Sequence, residues 1–242
     1  MELRKKIGKV IQEKITPPCT LNAAVGILLW VFSMAAAGCS ASGSGDTAYG
    51  MFLDTSVQGL EYETETQSGL TDEKGRFIYR KGERVTFFIG GITLGECMGN
   101  LFVTPVDLVE GADGIDDPGV LAITRLFITL DADGDPADLI TLSAGVRYAL
   151  SGYSFAFTED LSVDEQESVL VDILSYLNSL GVFGDGQPRD VCSPEAAAQH
   201  LEATMNYLKS MGFSSGSSPG DGGDDGPSGR SGGFGGGHSG CG

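Results

Sequence analysis

Val85-Thr86-Phe87-Phe88-Ile89-Gly90-Gly91-Ile92-Thr93-Leu94-Gly95 decides the fold class. Two runs rich in β-branched and aromatic residues meet at a glycine pair, a pattern that predicts two antiparallel strands joined by a tight turn. Outward from it, Gly59-Leu60-Glu61-Tyr62-Glu63-Thr64 and Arg76-Phe77-Ile78-Tyr79-Arg80 alternate apolar with polar residues. Turn chemistry separates them at Asp72-Glu73-Lys74-Gly75 and Lys81-Gly82-Glu83. Short strands at this spacing predict a small antiparallel β-sandwich or barrel over residues 49–115.

Beyond residue 115 the period changes to that of helices. Asp117-Pro118 supplies a cap and a first helical position ahead of Val120, Ile123, Leu126, Phe127 and Leu130. Ser162-Val163-Asp164-Glu165 is a capping box before Val169, Leu170, Ile173, Leu174, Leu177 and Leu180, with Gly181 as the stop. Ser193-Pro194 opens a third stripe of Ala197, Leu201, Met205 and Leu208. A lone amphipathic helix is unstable, so these three should pack on one another or on the sheet as a helical subdomain over 116–213. Strands followed by helices place the chain in the α+β class.

Charge sets the ends apart from this body. Of 15 basic and 33 acidic residues, Arg4, Lys5, Lys6, Lys9 and Lys14 fall in the first 20 positions. An apolar run from Leu21 to Met34 and small residues up to Gly38 follow, the plan of an export signal over 1–38. Without that leader, 10 basic and 31 acidic residues remain. Such a surface repels nucleic acid and anionic headgroups and attracts divalent cations and basic partners. From Ser214 to Gly242 the chain is almost all Gly, Ser, Asp and Pro, a composition that predicts a disordered tail.

Ala36-Ala37-Gly38-Cys39 resembles the lipobox of bacterial lipoproteins, with Ala36 where Leu is commoner. The resemblance implies cleavage before Cys39 and lipid on that cysteine, each buried CH₂ adding about 0.8 kcal/mol to the anchor. Residues 39–48 would then be a flexible, lipidated tether. Ser40 after the cysteine implies passage to the outer membrane. The other reading is an uncleaved signal anchor with Cys39 a bystander.

Two further resemblances concern the body. Gly69-Leu70-Thr71-Asp72-Glu73-Lys74-Gly75-Arg76-Phe77 resembles a hairpin of prealbumin-like and carboxypeptidase regulatory-like sandwiches. Val57-Gln58-Gly59-Leu60-Glu61-Tyr62, Gln67-Ser68-Gly69, Phe88-Ile89-Gly90-Gly91-Ile92-Thr93-Leu94-Gly95, Thr104-Pro105-Val106-Asp107-Leu108-Val109 and Leu130-Asp131-Ala132-Asp133-Gly134-Asp135-Pro136 follow one another in this order. That succession resembles a module of uncharacterised secreted bacterial proteins, which implies location and architecture but no chemistry.

Among the residues that could carry chemistry, Asp131, Asp133, Asp135 and Asp138 stand out. Carboxylates at alternate positions of one turn can face one centre, and calcium takes six to eight oxygens, so Ca²⁺ is the candidate cofactor. The competing reading is a solvated acidic turn that stops the helix ending near Leu130. No zinc-binding histidine pair, phosphate loop or dinucleotide fingerprint is present. His200, alone on the third helix, reads as structural, and Cys97 and Cys192 either form a bridge in an oxidising compartment or stay unpaired. Cys241 is then available for pairing between copies, while a metal site with His238 would have only two ligands. The expectation is a lipid-anchored envelope protein, with an unknown envelope protein or surface ligand as partner, in a binding or structural role. An envelope hydrolase with paired carboxylates and a subunit of a surface assembly are the alternatives.

Overall fold

The computed structural model describes residues 46–184 and 186–213. The expected signal segment, Cys39, most of the expected tether, and the expected tail with His238 and Cys241 lie outside these residues. The glycine-paired hairpin forms as its sequence demands. Strand β6, Arg84–Ile89, turns at Gly90-Gly91 into β7, Ile92–Met98, and Ile89 pairs with Ile92. Gly90 takes φ +63°, the left-handed region in which glycine carries no Cβ penalty. Val85, Phe87 and Ile89 point inward, while Thr86 and Phe88 point outward.

Around this hairpin lie β1 (Thr47–Phe52), β2 (Val57–Gln58), β3 (Glu61–Glu63), β4 (Ser68–Leu70) and β5 (Arg76–Arg80). Three two-residue strands complete the set: β8 (Phe102–Val103), β9 (Ile140–Thr141) and β10 (Phe155–Ala156). They make a five-stranded sheet in the order β10-β7-β6-β3-β4, a three-stranded sheet β5-β1-β8 and the pair β2-β9. The long pairings are antiparallel, but β1–β8, β2–β9 and β7–β10 are parallel. The expectation of an all-antiparallel arrangement is therefore corrected. Each parallel partner arrives after a long excursion of the chain, which a hairpin cannot supply. No sheet closes into a barrel among the described residues.

Four helices follow instead of three: α1 (Pro118–Leu130), α2 (Ala144–Leu150), α3 (Val163–Leu180) and α4 (Pro194–Ser210). The mixed α+β class holds. Helix α1 starts where Asp117 accepts from the Gly119 and Val120 amides. It is buried on most of its circumference, because it packs against both α3 and α4. The capping box at Ser162 and Glu165 opens α3, and Gly181 ends it at φ +62°. Ser193 caps α4 through the Ala196 amide. Helix α2 had no readable stripe: only Val146 and Leu150 are buried, and Tyr148 is 84% exposed.

The core is centred on rings from three layers. Phe52 of β1 stands 4.9 Å from Phe87 of β6 and 5.4 Å from Phe127 of α1, centroid to centroid. Phe77 of β5 meets Phe87 at 5.2 Å. These contacts bring the inner faces of the two larger sheets together and seat α1 beside them. A second cluster gathers Leu53, Val120, Leu201, Met205 and Leu208, joining the turn after β1 to α1 and α4. Buried Arg125 of α1 ties the helices further, donating to Cys192 O at 2.7 Å and pairing with Glu167 of α3.

Candidate functional site

The outer face of the five-stranded sheet forms an open groove of about 660 Å³. Strand register builds it. Glu63, Thr86 and Glu96 stand opposite one another across β3, β6 and β7, and Glu61, Phe88 and Thr93 form the next row. Opposed residues share a face, so two cross-strand rows of mainly polar groups surround a single ring, Phe88. Glu65 and Glu83 add carboxylates to the groove's lining, and Arg84 is its sole cation. Arg84 pairs with Glu96, and Thr86 Oγ1 donates to the other Glu96 oxygen at 3.3 Å.

Glu83 is fixed in place. Its Oε2 accepts from the Arg80 amide at 3.0 Å and from Thr64 Oγ1 at 2.8 Å. Desolvation works to raise its carboxyl, but these donors outweigh it and hold Glu83 below the usual carboxylate range. Glu61 accepts from the Gly90 amide and so caps the hairpin turn. Sequence reasoning missed this face because a chain so acidic has many carboxylate pairs. The available signal was the outward polar position of each alternating strand, which becomes a site only once the register is known.

The four aspartates expected to face a calcium ion make a self-capped turn. Asp131 is fully buried, its Oδ1 accepting from the Thr141 amide at 2.7 Å and its Oδ2 from Gly134 at 3.0 Å. Asp133, Asp135 and Asp138 each direct one oxygen to a nearby amide, those of Asp135, Ala137 and Leu139. A cation is already at hand, since Arg189 donates to Ala132 O at 2.9 Å. Burial pushes the Asp131 carboxyl up to about 7; the Thr141 amide works against this and Asp133 adds to it. The Asp135 amide, with the Asp131 side chain and then Arg189, holds Asp133 low. Among the described residues, no three carboxylate, imidazole or thiol side chains gather where they could hold one metal ion.

No known family, no curated protein and no solved structure matches the chain. The site therefore rests on its own geometry. Cys97 and Cys192 are not bridged: Cys97 is a buried free thiol on β7, and burial pushes it up to about 12. Cys192 packs with Ile128 and Ala197. Among the described residues, no helix is long and apolar enough to cross a membrane.

One pair was not anticipated. His200 of α4, read as a lone structural histidine, places Nε2 3.3 Å from Asp54 Oδ1 and 3.2 Å from Thr55 Oγ1. Asp54 is fully buried, and His200 is the side chain that faces its carboxylate.

Proposed function

We propose that the protein is a lipid-anchored cell-envelope binding module whose sheet groove takes a basic peptide segment of a partner. The observation that carries this reading is the groove itself, four carboxylates and one guanidinium around an outward phenylalanine. A lysine or arginine chain laid along it would find opposed charge at the rim and an aromatic face for its methylene stem or cation. Replacing Glu63 and Glu96 together by glutamine is expected to weaken binding of a lysine-rich peptide roughly three- to tenfold at low salt. Calorimetric titration checks this, and the difference should shrink as salt rises. The two sheets, facing one another through their rings, would act as a small β-sandwich stiffened by helices.

The hydrolase alternative requires a carboxyl poised to give a proton in the groove. Asp131, the carboxyl pushed to about 7, is fully buried and is not among the groove's lining residues. Binding is the reading that the groove's own charge and outward ring support.

The anchor and the cation belong to the same proposal. Cleavage before Cys39 would give membrane-extracted protein an intact mass beginning at that cysteine and carrying acyl chains; a full-length unacylated mass would leave a signal-anchored protein in the envelope. Calcium at the 131–138 turn rests on the sequence spacing of Asp131, Asp133, Asp135 and Asp138. Thermal melts should then rise with calcium, and Asp133→Ala should abolish the rise. Pairing between copies through Cys241 would show as a dimer band on non-reducing electrophoresis that Cys241→Ala removes.

A further inference from the structure

We propose that Asp54 and His200 form a proton-dependent latch, which fastens the turn between β1 and β2 to helix α4 and releases it as pH rises. The turn is held in an unfavourable shape. Thr55 has φ +58°, the only positive value at a described non-glycine residue, and its branched Cβ makes that region costly. Such a conformation persists only where its surroundings impose it. Here α4 does so at two points: Thr55 N donates to Thr204 Oγ1 at 3.0 Å, and Thr55 Oγ1 lies 3.2 Å from His200 Nε2. On one side of the turn, Leu53 packs with Leu201, Met205 and Leu208 of the same helix.

The charges make this hold conditional. Asp54 is fully buried, and His200, with Nε2 3.3 Å from Oδ1, is its compensating partner. Around the ring, Asp54 from the turn and Asp131 from the segment after α1 are the charged groups that act on it; Thr55 and Thr204 are neutral. Burial alone would lower the imidazole, but the Asp54 contact and charge outweigh it and raise His200 above its ordinary 6.5. Burial likewise raises Asp54, with His200 opposing. One proton shared by the pair keeps it neutral overall.

Because the folded value of His200 lies above the unfolded one, its stabilisation is complete below pH 6.5 and is lost as pH climbs through the folded value. Above that point Asp54 is left as a buried carboxylate without a countercharge. The strained turn then loses the partner that favours it.

The test uses the full chain as isolated. With only two histidines, His200 and His238, the imidazole resonances can be assigned with a His238→Ala variant. Hydrogen exchange of the segment containing Thr55 reports the turn, because that amide's acceptor belongs to α4. We expect His200 to titrate above 6.5 and Thr55 protection to fall by about tenfold across that titration, beyond the base-catalysed slope. In His200→Gln the break in protection should vanish, and in Asp54→Asn the His200 titration should move down. Should Asp54→Asn fail to fold, the unmodified chain and His200→Gln still decide the matter. Equal protection on both sides of the His200 titration, a break surviving in His200→Gln, or a His200 that titrates at or below 6.5, would overturn the latch.

Discussion

Truncation of Phe52 to alanine is expected to lower stability by about 3–5 kcal/mol, read as a shift of the urea unfolding midpoint at unchanged slope. The ring is fully buried and is the one that touches both Phe87 of the facing sheet and Phe127 of α1. Its removal opens a void where three layers meet, and none of them can close it without leaving its own neighbours. A built-in comparison sits in one strand. Phe87 is fully buried, whereas Phe88, the next residue, points outward into the groove. Phe87→Ala should resemble Phe52→Ala, while Phe88→Ala should cost about 1 kcal/mol or less and act mainly on peptide binding. Equal losses for the two would contradict the assigned faces of β6.

Gly91→Ala is expected to be the second large loss, about 3 kcal/mol or more. A Cβ at this position would stand 1.7 Å from Tyr153 O and 2.6 Å from Tyr153 C. Those are backbone atoms, so no rotamer change relieves the clash. The Gly91 amide also donates to Leu150 O at 3.0 Å, and Ile92 begins the pairing with Phe155. Relief therefore means detaching β10, and with it the end of α2, from the hairpin turn. Gly82→Ala is the matching control. Gly82 has φ +91°, but a Cβ there would meet nothing within 4 Å, so only backbone strain of about 1 kcal/mol is expected. Thermal melts of the two variants, compared side by side, separate close packing from turn conformation.

These two sites also mark what could be read from sequence. The hairpin at 84–98 was legible because alternation, β-branching and a glycine pair all act within a dozen residues. The ends of α1, α3 and α4 were legible for the same reason, since Asp117, the Ser162–Glu165 box and Ser193 cap helices through amides within three positions. Helix α1 does end at Leu130, and Asp131 follows as its cap, though buried instead of solvated.

What escaped depends on tertiary register. The strands β8, β9 and β10 are two residues each and carry no periodicity; they exist because a distant partner supplies hydrogen bonds. Helix α2 is held by two buried side chains, Val146 and Leu150, and by Arg147, which donates to Gly59 O at 3.2 Å and to Leu142 O. The latch is a matter of long range too: Thr55 and the His200 imidazole lie 145 positions apart, and no local pattern announces their meeting. The groove is the same kind of case. Glu63 and Glu96 become neighbours of Thr86 only through the pairing of β3 and β7 with β6.

The most direct test of the binding account is amide chemical-shift mapping during titration with a short lysine-rich peptide at low salt. Changes that saturate and cluster on Glu63, Glu65, Thr86, Phe88 and Glu96 are expected, with the remaining acidic surface nearly silent. Changes spread evenly over the acidic residues, or none at the sheet's outer face, would contradict it.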